Sequence, residues 1–356
     1  MNSDLKDVPI FISDYSIKCN EDGDLVNKLI ESYKFSCRDG KFDISDQWRN
    51  NINSNASELI KGLDNSDVKF CLEYLSKLFI STGLRGISMS DEFLTRKSDL
   101  YVNHTIAHTI VSLAEYLDSV PTECIEIGEI KKYNVKELEE LLNKISENLE
   151  VKVSFPEIFG AYGLRLGSYF VTVDMFEHIY ALKRSIDGYI NYSGSLPRKI
   201  IEIGGGFGDA CYWSQKFLKP DKYTIIDLPY TLVLQGWFLS KTCGTNSVKL
   251  YSKDYEFNES KIINLVPPFV IQRLQSNSFD HAWNQNSFPE MSYSIVTDYT
   301  NSLKRLIKPK GKLYSYNQAT QVRVSKLIKS CPSFKLISRS PSWTRSGYVE
   351  ELYERI

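Results

Sequence analysis

The sequence predicts an α/β protein, with a Rossmann-like doubly wound sheet in its second half and a mainly helical first half. In the second half, short apolar strands alternate with helices, a pattern typical of βαβ units on a parallel sheet. In the first half, apolar residues recur at steps of three and four, which indicates amphipathic helices. We therefore predict a helical N-terminal domain over residues 1–153 and a sheet domain over residues 154–356.

Seven strands are predicted for the sheet domain. The first, Lys199–Ile203, follows a helix that carries Met175, Ile179, Leu182 and Ile186 on one face. The other six are Tyr223–Ile226, Val248–Tyr251, Phe279–Asn284, Lys312–Tyr316 and an antiparallel closing pair, Phe334–Ser338 and Tyr348–Tyr353. Helices are expected at Tyr212–Leu218 and Leu232–Lys241, between the early strands.

Three apolar stripes predict helices in the first half, at Val68–Phe79, at Ile106–Leu117 and after Asn134, which has the side chain of an N-cap. This domain is expected to cap a ligand site of the sheet domain or to mediate a homodimer. The segment Tyr162–Tyr169 is flanked and interrupted by glycines, which predicts a mobile or close-approaching loop. Within it, Arg165 is a hypothetical contact for an anionic ligand, with an ordinary surface position as the alternative.

Composition excludes several classes of protein. The chain has 43 basic and 44 acidic residues, and a net charge of -1 gives no electrostatic footprint for nucleic-acid binding, which requires clustered positive charge. No apolar run reaches the ~20 residues of a membrane span, and the polar N-terminal residues do not resemble a signal peptide. Seven scattered cysteines without a CxxC pair indicate reduced thiols in a cytoplasmic protein. His104 and His108 are one helical turn apart but have no third ligand nearby, so we predict no metal site.

The strongest motif follows the first strand, where Glu202-Ile-Gly-Gly-Gly-Phe-Gly208 leads into a helix. Glycines at this point let the backbone turn sharply and approach a ligand closely. A nicotinamide-binding loop requires G-x-G-x-x-G, and counted from Gly204 the sixth position is Asp209. The G-x-G-x-G spacing with an upstream acid instead favours S-adenosylmethionine, whose positive charges suit a nearby carboxylate. The predicted cofactor-binding residues include Glu202, Gly204, Gly205, Gly206 and Gly208.

Asp227 ends the next strand, 19 residues after Gly208. An acid at this position accepts hydrogen bonds from the ribose hydroxyls of a nucleoside cofactor. The alternative is an Asp that only forms the turn before Leu228-Pro229, and for Glu202 the alternative is a salt bridge at the strand end. Together the loop and Asp227 predict binding of a nucleoside cofactor.

With these residues the chain resembles the bacterial sugar O-methyltransferases, a family of class I S-adenosylmethionine-dependent methyltransferases. The resemblance covers roughly residues 170–320 and is carried by Glu202–Gly208, Asp227-Leu-Pro-Tyr230 and Asn284-Gln-Asn-Ser-Phe-Pro-Glu-Met291. It implies a class I methyltransferase sheet, methyl transfer to a sugar hydroxyl of a glycan or surface polysaccharide, and cofactor contacts from Leu228 and Asn284. His281 and Trp283 depart from the aliphatic strand usual in the family, which leaves the form of the acceptor pocket open.

A base near the carboxyl ends of the strands would remove the proton of the acceptor hydroxyl. Glu290 is the first candidate, and a carboxylate that only stabilises a helix start is its alternative. His178 is the second candidate, because Asp174 lies four residues earlier and could orient its ring; a surface helix contact is the alternative. His281 lies mid-strand and is expected in the core.

Three other functions are compatible with the sequence: a small-molecule O- or N-methyltransferase of secondary metabolism, a non-catalytic binding protein with a methyltransferase fold, and a nicotinamide-dependent oxidoreductase. The failed G-x-G-x-x-G register disfavours the oxidoreductase. Intact Glu202, the loop glycines and Asp227 disfavour the non-catalytic protein.

Overall fold

The computed structural model describes residues 5–14, 21–38, 40, 42–88, 99–122, 133–253, 262–319 and 323–356. The chain forms two compact units. One contains Met1–Ser16, Ser76–Tyr180 and Trp343–Arg345, and the other contains Ile17–Leu75, Ala181–Ser342 and Ser346–Ile356. The predicted boundary after residue 153 placed residues 17–75 with the helical domain, whereas in the structure they cluster with the sheet.

The sheet unit is built on eight strands. They are β4 (Lys199–Ile203), β5 (Lys222–Ile226), β6 (Val248–Leu250), β7 (Ile263–Val266), β8 (Phe279–Gln285), β9 (Ile307–Gln318), β10 (Phe334–Pro341) and β11 (Tyr348–Arg355). Their order across the sheet is β10-β11-β9-β8-β4-β5-β7-β6. All neighbouring pairs are parallel except the two made by β11. This arrangement confirms the predicted Rossmann-like α/β sheet with its antiparallel closing pair.

All seven predicted strands are present, and the structure adds β7 between β5 and β6. The consequence is that β6 (Val248–Leu250) is the edge strand and does not pair with β5 directly. The four residues of β7 are all buried and stand directly before Pro267. So short an apolar run has no periodicity of its own, which is why the sequence pattern did not separate it from a loop.

The helices of this unit lie between and beside the strands. They are α1 (Glu21–Arg38), α2 (Asp46–Asn51), α3 (Ser57–Asp64), most of α4 (Val68–Ser76), the later part of α7 (Met175–Ser193), α8 (Asp209–Phe217), α9 (Pro229–Cys243), α10 (Tyr293–Leu306) and α11 (Val324–Ser330). One large apolar cluster joins the sheet to α10 and α11, with Ile201, Ala282, Leu303, Leu313 and Ile328 fully buried. Burial of this apolar surface is the main stabilising contribution to the unit.

Helix α1 packs closely against α9. A Cβ atom at Gly236 of α9 would lie 2.5 Å from a methyl group of Leu29, so the glycine permits this approach. Leu29 is 1% exposed, and Lys241 pairs with the Asp22 carboxylate at the other end of the contact. Helix α1 is therefore an integral layer of the sheet unit.

The first unit contains α5 (Asp99–Tyr116), α6 (Val135–Asn148), the start of α7 and a small antiparallel sheet. The predicted cap of α6 is confirmed, because the Asn134 side chain accepts from the Glu137 N–H and the Glu137 side chain accepts from the Asn134 N–H. The role predicted for this half of the chain, an acceptor cap or a dimer contact, stays a prediction. Within the described residues no helix has the length and apolarity needed to cross a membrane.

The prediction of a mobile or close-approaching loop at Tyr162–Tyr169 is wrong about the loop, although a close backbone approach is present. The segment forms a hairpin of β2 (Tyr162–Leu166) and β3 (Tyr169–Thr172), and β1 (Phe11–Ile12) adds to its edge. Gly163 lies where a Cβ would meet the Val171 carbonyl oxygen at 1.9 Å, and Gly167 takes the turn with a φ of +59°. The glycines thus serve close strand pairing and a tight turn rather than mobility.

Candidate active site

The glycine loop leaves β4 at the carboxyl edge of the sheet and leads into α8. Gly204, Gly206 and Gly208 have φ angles of +75°, +58° and +101°, a region that residues with a Cβ rarely adopt. A Cβ at Gly204 would also lie 2.4 Å from the Cβ of Ser287. The loop conformation therefore depends on glycine, as the spacing of the motif predicts.

Asp227 lies beside this loop, at the end of β5. Its Oδ2 atom accepts from the Gly205 N–H at 2.8 Å and from the Gln235 amide at 2.7 Å, and Oδ1 accepts from the Leu228 N–H at 2.8 Å. Gln235 also donates to the Gly206 carbonyl oxygen at 3.0 Å. Burial raises the pKa of Asp227 to about 7, although these hydrogen bonds favour the ionised form. The carboxylate is thus held in one position against the glycine loop.

Glu202 lies beneath the loop and is 2% exposed. One of its oxygens accepts from the Tyr223 hydroxyl of β5 at 2.9 Å, and the same oxygen would lie 3.2 Å from a Cβ at Gly205. Burial and the Glu202 charge raise the pKa of Tyr223, which keeps this hydroxyl a donor. Glu202 is therefore a buried acceptor under the loop, and its predicted contact with the cofactor stays a prediction.

Asn284 ends up in a network that fixes the end of β4. Its amide nitrogen donates to the Ile203 carbonyl oxygen at 2.9 Å and to the Ser287 hydroxyl at 2.6 Å, and its oxygen accepts from Asn317 at 2.9 Å. Ser287 donates to the same Ile203 oxygen at 2.9 Å. Asn284 is fully buried, so in this structure it positions the start of the glycine loop, and its predicted contact with the cofactor stays a prediction.

Glu290 follows the end of β8, in a short 3₁₀ turn over Phe288–Glu290. The N-cap of α10 is Ser292, whose hydroxyl accepts from the Ile295 N–H. Burial raises the pKa of Glu290 to about 7, and the charge of Asp227 acts in the same direction. A partly exposed carboxyl with this pKa is suited to accepting a proton near neutral pH.

Trp48 of α2 is a site residue that the sequence did not reveal. Its indole N–H donates to the Glu290 Oε2 atom at 2.9 Å, and this hydrogen bond lowers the pKa of Glu290 against the larger effect of burial. The two residues are 242 positions apart. No local motif links them, so only the folded chain shows that α2 reaches this site.

Aromatic side chains surround the two carboxyl groups. The Trp48 and Tyr230 rings are 6.5 Å apart, and the Tyr299 ring lies 6.4 Å from that of Phe288. Burial raises the pKa of Tyr230, and the charges of Asp227 and Glu290 add to this. Burial and the Asp227 charge likewise raise the pKa of Tyr299. The charge of Asp227 therefore acts on Glu290 and on both tyrosines, which is consistent with one site at this edge of the sheet.

His178 and Asp174 lie in the first unit, at the start of α7. The Nδ1 atom of His178 is 3.1 Å from the backbone oxygen of Asp174. The Asp174 carboxylate accepts a hydrogen bond from the Ser88 hydroxyl. The His178 ring thus contacts the main-chain oxygen of Asp174. The catalytic role of this pair stays a prediction.

Arg165 and His281, which the sequence analysis also singled out, have well-defined surroundings. The Arg165 guanidinium pairs with Glu157 and lies 3.9 Å from the centre of the Phe11 ring, so within its unit it stabilises the hairpin. His281 is buried as predicted, and its Nε2 atom is 2.6 Å from the Ser185 hydroxyl. Burial lowers the pKa of His281 to about 3, which keeps the ring neutral.

No cluster of three or more metal-ligating side chains occurs in the part of the chain that the structure describes. Both His104 and His108 are exposed. Cys37, Cys71, Cys211, Cys243 and Cys331 are free thiols, whereas Cys19 and Cys124 lie outside the described residues.

No family model and no curated protein matches the chain. Solved structures do match about half of it. The N-methyltransferase NodS from Bradyrhizobium japonicum is 13% identical over 50% of this chain and 94% of its own, with a TM-score of 0.37. The PH0226 protein from Pyrococcus horikoshii is 10% identical over 49% and 89%, with a TM-score of 0.37. The geranyl diphosphate C-methyltransferase from Streptomyces coelicolor is 8% identical over 49% and 76%, with a TM-score of 0.36. At this level of likeness they do not identify the reaction or the acceptor of this chain.

Proposed function

We propose that the chain is an S-adenosylmethionine-dependent methyltransferase. The observation that carries this proposal is the coupling of Asp227 to the glycine loop, through the 2.8 Å hydrogen bond from the Gly205 N–H. An acid at the end of the second strand beside a glycine loop is an arrangement that binds the ribose of a nucleoside cofactor. The G-x-G-x-G spacing and the buried Glu202 favour S-adenosylmethionine over a dinucleotide.

The residues present fit this cofactor. The Gln235 side-chain oxygen is buried and has no hydrogen-bond partner among the described residues, although its amide nitrogen is bound to Asp227 and Gly206. A buried acceptor without a donor is costly, and a ligand hydroxyl or amine would satisfy it. Asp227, Gln235 and the loop N–H groups would therefore hold the nucleoside part.

The chemistry that the cofactor supplies is a methyl group activated by the sulfonium. In the proposed reaction Glu290 would take the proton of the acceptor hydroxyl, so that the acceptor oxygen could receive this methyl group. Proton removal of this kind contributes about 10²–10⁴-fold to a rate. The Trp48 N–H fixes the orientation of Glu290, and alignment of the hydroxyl supplies most of the remaining acceleration.

The proposed acceptor is a sugar hydroxyl, in a glycan or a surface polysaccharide. The resemblance over residues 170–320 supports this choice, and so do the half-buried rings of Trp48 and Tyr299, because aromatic faces suit the apolar faces of sugar rings. The same aromatic groups would also fit a planar small molecule, so a small-molecule O- or N-methyltransferase is the second candidate.

Calorimetric titration with S-adenosylmethionine and with NAD tests the cofactor. We expect micromolar binding of S-adenosylmethionine alone, weakened at least tenfold in Asp227→Ala. Asp221→Ala is the matched control, because Asp221 precedes the opposite end of β5 and pairs with Arg198. Tight NAD binding, or equal affinities in Asp227→Ala and wild type, would reject the proposal. Methyl transfer to a panel of glycans and aromatic small molecules then separates the two acceptor classes.

A further inference from the structure

A second concave site lies on the sheet unit beside the end of β9. The pocket has a volume of about 610 Å³ and lies between α11 and the strands β9, β10 and β11. Its lining includes Ser315, Asn317, Arg323, Lys326, Lys329 and Arg339. We call this site the basic pocket. Among all its lining residues four are cationic and Glu351 is the one acid.

The charges of the basic pocket are unbalanced. Glu351 is 2% exposed and already pairs with Arg339, while also accepting from the Ser325 hydroxyl at 2.7 Å. The structure gives Arg323, Lys326 and Lys329 no ion pair with any described residue. These three residues follow each other at steps of three along α11 and its N-cap, so like charges share one helix face and repel. An anionic ligand would relieve this repulsion.

The inner wall of the basic pocket offers an unused acceptor. Asn317 is 4% exposed, and its amide nitrogen donates to Asn284 at 2.9 Å and to Ser315 at 2.8 Å. Its Oδ1 atom is buried and has no hydrogen-bond partner in the described part of the chain. Cations at the rim accept no hydrogen bond, whereas this oxygen requires a donor such as a hydroxyl. The ligand should therefore carry both an oxyanion and hydroxyl groups.

We infer that the basic pocket binds the acceptor through an oxyanion, and that the acceptor is a sugar bearing a phosphate or a carboxylate. The inference rests on the proposed methyltransferase function, which it makes more specific. Asn317 connects the two sites, because it binds Asn284, which in turn binds the Ile203 carbonyl oxygen at the start of the glycine loop. A sugar held by its oxyanion at α11 has its hydroxyls near the carboxyl ends of β8 and β9, the edge at which parallel sheets bind ligands.

The test measures binding in the absence of cofactor, by calorimetry at low ionic strength. The probes are hexose 1-phosphates, hexuronic acids and the parent neutral hexoses. We expect one of the two oxyanion classes to bind, with an affinity that falls as salt is added. The double variant Lys326→Ala/Lys329→Ala should weaken this binding at least tenfold. The matched control is Lys335→Ala, an exposed lysine of β10 that does not line the pocket.

Phosphate esters and uronic acids distinguish the two sources of the oxyanion. Equal binding of neutral and charged hexoses, unchanged binding in the double variant, or no binding of either oxyanion class would overturn the inference. Inorganic phosphate binding as tightly as the hexose phosphates would also contradict a sugar ligand. Titration of the same variants with S-adenosylmethionine is read separately, so loss of the cofactor site and loss of the basic pocket are distinguishable.

Discussion

Two carboxyl groups with pKa values near 7 set the behaviour of the candidate site, and each has a different neighbour. Asp227 accepts hydrogen bonds from the Gly205 N–H of the glycine loop and from the Leu228 N–H, and Glu290 accepts one from the Trp48 indole. In both, burial is the largest cause of the raised pKa. Because the two groups act on different parts of the proposed reaction, pH affects binding and turnover through separate residues.

Cofactor affinity should fall below pH 7. The ionised Asp227 is the form that accepts hydrogen bonds from ribose hydroxyls, and in the free protein it gains its proton at about pH 7. Binding should therefore weaken by up to about tenfold per pH unit below this value. Titration of S-adenosylmethionine from pH 5.5 to 8.5 measures the slope. Glu290→Gln should retain the slope, and a flat profile in the wild type would exclude Asp227 as the controlling group.

The Trp48→Phe variant should move the acidic limb of the kcat profile to higher pH. Phenylalanine keeps an aromatic ring but has no N–H, and the Trp48 hydrogen bond lowers the pKa of Glu290. Without it the Glu290 pKa rises above about 7, so more of the enzyme is protonated and inactive at neutral pH. Rates measured across pH 5.5–9 test this. An unchanged profile with a reduced plateau would show that Trp48 only contributes packing.

The Glu290→Gln variant should lose activity and gain relative stability at high pH. Its folded-state pKa of about 7 lies above the unfolded value of about 4.3. The folded state therefore holds this proton more tightly, and the contribution is lost as pH rises from about 4 to 7. We expect kcat to fall about 10²–10⁴-fold, while the Tm relative to wild type rises between pH 4.5 and pH 8. A Tm difference that is the same at both pH values would contradict a raised pKa of Glu290 in the folded state.

At the scale of elements, the glycine loop is held by its neighbours as much as by its own conformation. Gly204 and Gly194 both have positive φ, +75° and +70°. A Cβ at Gly204 meets Ser287, whereas a Cβ at Gly194 meets nothing within 4 Å. Substitution of Gly194 therefore reports backbone strain alone, whereas substitution of Gly204 also disturbs the contact between the glycine loop and Ser287.

Gly204→Ala should impair cofactor binding much more than Gly194→Ala. Both variants carry a left-handed strain of about 1–2 kcal/mol, but only the first displaces Ser287, which holds Asn284 and the Ile203 carbonyl oxygen. We expect similar small Tm losses from strain, a further loss in Gly204→Ala, and a Kd for S-adenosylmethionine raised at least tenfold in that variant alone. Thermal melts and calorimetry check both. Equal Kd values in the two variants would show that the Ser287 contact does not shape the loop.

The elements also show where sequence patterns suffice. Alternation of strands with helices predicts the sheet. The positions of Glu202, the glycines and Asp227 follow from their places at the carboxyl ends of two predicted strands. Glycine is ambiguous by comparison, since Gly163 and Gly167 permit a hairpin where their spacing indicated a loop. Contacts between distant segments leave no local pattern, which is why Trp48 beside Glu290 and Leu29 against Gly236 emerge only in the fold.

At the scale of the whole molecule, the segment Ile17–Leu75 belongs to the sheet unit. Leu25, Val26 and Leu29 of α1 are buried, and Gly236 of α9 brings the two helices close. Removal of α1 would uncover an apolar face of α9. A fragment that begins at residue 154, the domain boundary that the sequence pattern predicts, would also lack Trp48.

We therefore expect a fragment of residues 154–356 to be unable to form a well-packed native state. Exposed apolar surface on α9 should give strong binding of a hydrophobic dye and a non-cooperative melt, although much of the secondary structure can persist. In the intact chain, Leu29→Ala should cost about 2–5 kcal/mol. The control Leu196→Ala changes a leucine that is 45% exposed and should have little effect. Denaturant unfolding of both variants and dye binding by the fragment measure this. A cooperative fragment, or equal stabilities of the two variants, would show that α1 is an accessory layer and that the sheet folds without it.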